Sequence, residues 1–167
     1  MVDNEIDNEI NIEEIARDIL EALLDRMGVA AAVELCEEPY VEEEITTPPV
    51  SFDIKGDDLG ILIGRRGQTL SCLQYILRLI MTHQTNTWMP VTLDVEGYKQ
   101  RRYKALQTLA NRMAEQVKLK GTSFNLEPMS AYERRIIHLT LADNPDVSTQ
   151  SAGEGENRKV VILPQWQ

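Results

Sequence analysis

Cysteine is scarce: Cys36 and Cys72 are the only two in 167 residues, and neither belongs to a C-x-x-C step. A disulfide framework and a zinc or dithiol motif are thereby excluded. Isolated thiols in apolar surroundings are expected to be free and buried. Long apolar runs are also missing. The longest candidate, Leu73 to Met81, is interrupted by Gln74 and Arg78, so nothing approaches the ~20 residues of a membrane span. The opening MVDNEIDNEINIEE has neither the basic start nor the apolar core of a secretory signal. A soluble, cytoplasmic protein without membrane insertion is the expectation. There is no cluster of acids at metal-ligand spacing and no nucleophile motif, so no metal, no cofactor and no catalytic residue is expected.

Bases are nearly absent from the first 50 residues. Arg17 and Arg26 stand there against 15 of the 27 acids, a balance of −13, whereas residues 51–167 carry 15 bases and 12 acids, a balance of +3. The formal net charge of −10 therefore describes the N-terminal third, and it does not exclude a polyanionic partner for the rest. At 43% hydrophobic residues the chain can fill one good core or two small ones.

The apolar residues Ile12, Ile15, Ile19, Leu20, Leu23, Leu24 and Met27 recur at helical spacing, and Gly28 follows as a stop. The spacing predicts a helix over 11–27, preceded by an acidic stretch, 1–10, expected to be disordered and dispensable. Val29 to Glu37 reads as a strand and Glu38 to Pro49 as a solvated loop. Val50 to Lys55 alternates as a half-buried strand. Gly56-Asp57-Asp58 turns into a short helix, Leu59 to Ile63. After a glycine step, Leu70, Leu73, Ile76, Leu77 and Ile80 mark the buried face of a second helix. Pro90 to Val95 is again a strand.

The glycine step is Gly64-Arg65-Arg66-Gly67, within GILIGRRGQTL. Two glycines three apart allow a turn whose backbone approaches another molecule closely. Two arginines at the exposed x positions, and the amides opening the next helix, suit phosphate. A plain conformational turn is the alternative that the spacing alone leaves open. Ile61, Ile63 and Leu70 are open between core and a groove for bases.

Loop and element order together (helix, strand, strand, helix, G-x-x-G, helix, strand) resemble the type II, bacterial form of the K homology domain over 11–96. That resemblance implies an α+β fold, two helices on a three-stranded sheet, with a loop that clamps about four single-stranded nucleotides.

From Gly97 a second unit, 97–167, reads helix, strand, helix, strand, strand. Tyr98 to Leu119 carries Leu106, Leu109, Met113 and Val117 on one face, with Lys99, Arg101, Arg102 and Lys104 in its first turns. Cations there oppose the helix macrodipole, which leaves a phosphate-facing role open beside a solvated one. Thr122 to Leu126 is a short strand. Ser130 and Glu133 form a capping box that opens a helix to about Ala142, and strands follow at Val147–Ala152 and Lys159–Leu163. On this helix Arg134 and His138, four apart, share a face, and Arg135 adds a cation. The stretch from Glu127 to His138, EPMSAYERRIIH, resembles the R-three-H signature, its arginine falling on Arg134 and its histidine on His138.

A K homology domain followed by an R-three-H domain resembles the Jag family of bacterial proteins (SpoIIIJ-associated, also called KhpB or EloR). Many Jag proteins have an extra N-terminal domain; here a short acidic stretch stands ahead of the first helix, and the reading is of a member without that domain. The resemblance implies a non-catalytic regulator of cell elongation, division or sporulation, and association with a small K homology partner. It implies binding of single-stranded RNA, with single-stranded DNA as the variant, through Gly64, Arg65, Arg66, Gly67, Arg134, Arg135 and His138. Two other classes stay open: an RNA-processing enzyme using His138 and Arg134, and a ribosome-associated scaffold.

Overall fold

In the alternating segment Val50–Lys55, Phe52 and Ile54 point to one side and are buried, while Asp53 and Lys55 point to the other. This is strand β2, the middle of a sheet ordered β1-β2-β3. The computed structural model describes residues 3–36 and 50–165, and the described chain separates into two compact units, Met1–Lys99 and Gln100–Gln167.

In the first unit β1 (Ala32–Leu35) pairs antiparallel with β2 (Val50–Lys55), and β3 (Val91–Val95) pairs parallel with it. A parallel pair needs a crossover, which is supplied by α2 (Gly60–Ile63) and α3 (Gln68–Thr85). Ala16, Leu20 and Leu24 of α1 (Asp3–Arg26) meet Leu70, Leu73, Leu77 and Met81 of α3 over Phe52, Ile54, Val91, Leu93 and Val95 in one core. β3 is an edge strand, and α3 satisfies its backbone: Gln74 Oε1 accepts from Leu93 N (3.0 Å), while Arg78 Nε and Nη2 donate to Val91 O (2.9 and 2.7 Å). On the sheet face turned away from the core, Glu34, Asp53 and Asp94 lie in register across the three strands. Burial, and then Asp94, push the Asp53 carboxyl above its ordinary value.

The second unit holds most of α4 (Tyr98–Lys120), then β4 (Phe124–Asn125), α5 (Ala131–Thr140), β5 (Val147–Ala152) and β6 (Lys159–Pro164), in an antiparallel sheet ordered β4-β6-β5. Leu106, Ala110, Met113, Ala114 and Val117 of α4 pack with Ile136, Ile137, Val147, Val160 and Ile162. The capping box is formed in full. Ser130 Oγ accepts from Glu133 N, and Glu133 Oε2 accepts from Ser130 N. Arg102 Nε donates to the other carboxylate oxygen of Glu133 at 2.7 Å.

Several sequence expectations are corrected. The first helix begins at Asp3, not near residue 11. No glycine or proline interrupts 3–26, and a helix propagates cheaply once nucleated. Acids near its N-terminus favour the macrodipole. Cys72 is exposed and Cys36 half-buried, because the buried stripe of α3 runs through Leu70, Leu73, Leu77 and Met81 and leaves position 72 outside it. Ile76 is exposed for the same reason. Strands β1 and β4 are shorter than their apolar patterns suggest. The acidic loop expected at 38–49 lies outside the described residues. Among the described residues, no helix is long and apolar enough to cross a membrane.

Candidate functional site

α2 ends where Gly64 N donates to Gly60 O at 2.9 Å. Gly64 then adopts φ 67°, ψ −171°, a region essentially restricted to glycine. The place where its Cβ would stand is filled by the side chain of Thr69, so a side chain there is excluded twice. Residues 65–67 make a single 3-10 turn. Gly67, at φ 78°, caps α3, and a Cβ on it would come within 3.0 Å of Tyr98 Cε1. Arg66, between them, is itself left-handed at φ 55°, ψ 34°, which is uncommon for any residue but glycine. The two arginines differ: Arg65 is exposed and Arg66 half-buried, correcting the expectation that both x positions are exposed.

Three features around the loop are new to the structural view or easily passed over in the sequence. No Asp or Glu occurs between Asp58 and Asp94, so α2, the loop, α3 and the turn after it are free of acids in a chain that holds 27 of them. Leu62 and Leu70 are core, Ile63 is half-buried, and Ile61 is 70% exposed beside the loop. Along α3, Cys72, Tyr75, Ile76 and Leu79 form an exposed stripe at helical spacing.

In the second unit α5 turns Arg134 and His138 toward β5. Arg134 Nη1 donates to Ser151 Oγ at 3.1 Å; His138 Nε2 lies 2.9 Å from the same hydroxyl, and Nδ1 lies 2.7 Å from Thr149 Oγ1. The structure thus brings the arginine and histidine together through Ser151. Thr149 and Ser151, two apart on one face of a strand, were not singled out by sequence reasoning; the only available signal is their period-two spacing. Burial, and then the Arg134 cation, hold the His138 imidazole below its ordinary value of 6.5. Arg135 is exposed. Among the cations opening α4, Arg102 and Lys99 have contacts that explain them without phosphate. Arg102 pairs with the buried Glu133, and Lys99 Nζ donates to Gln74 Oε1 at 3.2 Å. Among the described residues no group of three metal-ligating side chains occurs.

The family model described as "KhpA/KhpB, KH domain" matches residues 12–93, and that of the R-three-H domain matches residues 104–164. RNA-binding protein KhpB of Bacillus subtilis (strain 168) is 38% identical over 146 residues, spanning 86% of this chain and 69% of its own. This chain belongs to the KhpB family. RNA-binding protein KhpB of Clostridium symbiosum is 41% identical over 151 residues, 90% of this chain and 65% of that protein. The Lactiplantibacillus plantarum protein of the same name is 34% identical over 145 residues, 87% of this chain and 42% of its own. The chain spans about two thirds of the first two relatives and under half of the third. Within the KhpB family, Gly64 to Gly67 fall in the stretch matched by the K homology model, and Arg134 to His138 in that matched by the R-three-H model.

The His138 geometry generates a prediction. Because its folded value lies below 6.5, the unfolded chain takes up the proton first as pH falls. The contribution of this residue to stability is whole above the unfolded value and declines as pH drops from there toward the folded one. An NMR titration of the imidazole is expected to show a midpoint below 6.5 that rises part of the way back in Arg134→Ala, burial being the larger cause. A native midpoint at or above 6.5 would contradict the buried, cation-flanked setting.

Proposed function

We propose that the chain is a non-catalytic binder of single-stranded RNA that acts in the cytoplasm. It grips the phosphate backbone at Gly64–Gly67 and makes a second contact through the α5 helix. The observation that carries this reading is a glycine turn set between buried Leu62 and Leu70, presenting Arg65 at the start of an 18-residue helix, in a tract without carboxylates. Backbone amides at that helix start donate to anionic oxygen, and Arg65 and Arg66 neutralise phosphate. Exposed Ile61 offers apolar surface to an unstacked base beside the clamp. That the relatives are named RNA-binding proteins favours RNA over DNA.

Both ring nitrogens of His138 are engaged by hydroxyls, which disfavours proton transfer and hence the enzyme alternative. His138 instead acts as a post that fixes Arg134, and Arg134 and Arg135 supply the charge of the second contact. Two weak sites on one chain raise effective concentration, so neither has to bind tightly.

Binding of the full chain to a 12-nucleotide oligouridine, measured against salt, tests the clamp. Asp is tolerated in left-handed backbone, so Arg65→Asp with Arg66→Asp is expected to retain a native circular-dichroism spectrum. Losing two phosphate contacts flattens the plot of log K against log salt by about 1.4 and costs at least about 25-fold at ~0.1 M salt. Unaltered affinity and slope would reduce the G-x-x-G to a structural turn.

The exposed stripe Cys72, Tyr75, Ile76 and Leu79 supports a second surface on α3, for the small K homology partner that the family resemblance implies. Apolar residues at i, i+3, i+4 and i+7 suit docking against another helix. Light scattering of the chain mixed with such a protein is expected to show a complex that Ile76→Asp with Leu79→Asp abolishes. A complex that survives the double substitution would remove α3 from this role.

A further inference from the structure

Trp88 is one of two tryptophans in a chain with 5% aromatic residues, and it is 66% exposed. Tryptophan is among the most buried residues on average, so its display on a tight connection between α3 and β3 asks for a cause. The connection is well fixed. Asn86 closes α3 in the left-handed conformation at φ 51°, ψ 23°. Thr85 Oγ1 donates to Met81 O at 2.9 Å and lies 3.1 Å from Thr87 O; Thr87 N donates back to Thr85 Oγ1 at 3.3 Å. On the far side Met89 packs against the core, Pro90 is buried, and Pro90 O accepts from Val50 N at 3.0 Å. The indole is therefore held out on a backbone tied at both ends, and little conformational freedom remains to be lost when something packs on it.

The chemistry around it narrows what that something is. Trp88 stands within the acid-free tract between Asp58 and Asp94; its immediate neighbours are Asn86, Thr87 and Met89, and the last turn of α3 carries His83. An apolar protein partner calls for a contiguous hydrophobic patch, and the residues before Trp88 in this turn are polar. A lone, fixed aromatic whose neighbours in the turn are polar matches a stacking platform for an unstacked base. The helix that begins after the Gly64–Gly67 turn runs about 27 Å to Thr85, three residues before Trp88. A 12-nucleotide strand, ~41 Å long even at the stacked spacing, covers that distance.

From these observations we infer that Trp88 stacks on a base of single-stranded RNA away from the clamp, beyond the C-terminal end of α3. This rests on the RNA-binding reading above and adds to it a contact that is apolar, not ionic. Stacking contributes about 1–3 kcal/mol per base, a factor of roughly 5 to 150 in affinity.

The experiment uses the full chain with Trp166→Phe, which leaves Trp88 as the only tryptophan. Its fluorescence is expected to fall as 12-nucleotide oligouridine is added. Trp88→Ala is expected to weaken binding about 5- to 150-fold with the slope of log K against log salt unchanged, since no phosphate contact is lost. Trp88→Phe is expected to keep most of the affinity. Unchanged fluorescence at saturation, or wild-type affinity in Trp88→Ala, would overturn the inference and leave Trp88 to a protein partner while the clamp stands. A loss of affinity with a flatter salt slope would also overturn it, by showing that Trp88 merely orders cationic neighbours. No binding of oligouridine by the wild-type chain at low salt would remove the RNA-binding reading and this inference together.

Discussion

The backbone of Gly64, at φ 67° and ψ −171° with Thr69 packed where a Cβ would stand, fixes how the first unit is put together. No other residue adopts that conformation at low cost. α2 must therefore end there, and α3 can begin only after Gly67, whose own missing side chain makes room for Tyr98. On either side Leu62 and Leu70 are fully or almost fully buried, at 0% and 2% exposure, so the core holds both ends of the turn. The exposure of Arg65 follows from this arrangement. A loop set by the core and by glycine needs little ordering when a ligand arrives.

Charge is sorted on the same frame. The α2–α3 segment has no carboxylate, while Glu34, Asp53 and Asp94 form a row across the opposite face of the sheet. The Asp53 carboxyl is raised chiefly by burial and next by Asp94, while Lys55, paired with Glu34 on the same face, acts in the opposite direction. α1, packed on the same side of the sheet as α3, carries exposed Glu14, Asp18, Glu21 and Asp25, so the absence of carboxylates belongs to the α2–α3 segment and not to the whole helix side. The bulk charge of −10 conceals that local absence. In the second unit hydroxyls of Thr149 and Ser151 hold the arginine–histidine pair of α5, and burial, then the Arg134 cation, holds the His138 imidazole below its ordinary value.

The element order was legible in the sequence, because each element carries its own local signal. Examples are alternation in Val50–Lys55, glycines around Arg65 and Arg66, and Ser130 with Glu133 at capping-box spacing. What was not legible depends on contacts between elements distant in sequence. Nothing local says that Ser151 lies under both Arg134 and His138, or that Arg102 is drawn to Glu133 and away from solvent. Nor does a run such as Leu70 to Met81 tell which apolar residues face outward. The stripe chosen by packing left Cys72 and Ile76 outside, against the simplest reading of the pattern. The extension of α1 to Asp3 was missed for another reason: acidic composition was read as disorder, whereas propagation of a nucleated helix adds a hydrogen bond for each residue fixed.

The proposed grip on single-stranded RNA lies at the Gly64–Gly67 turn, within the acid-free segment 59–93. The most direct test is amide chemical-shift mapping of the 15N-labelled full chain as 12-nucleotide oligouridine is added. The largest shifts are expected on the amides from Gly64 to Leu70, with Glu34, Asp53 and Asp94 unmoved. Shifts gathered on those three strand positions, with Gly64 to Leu70 silent, would contradict it.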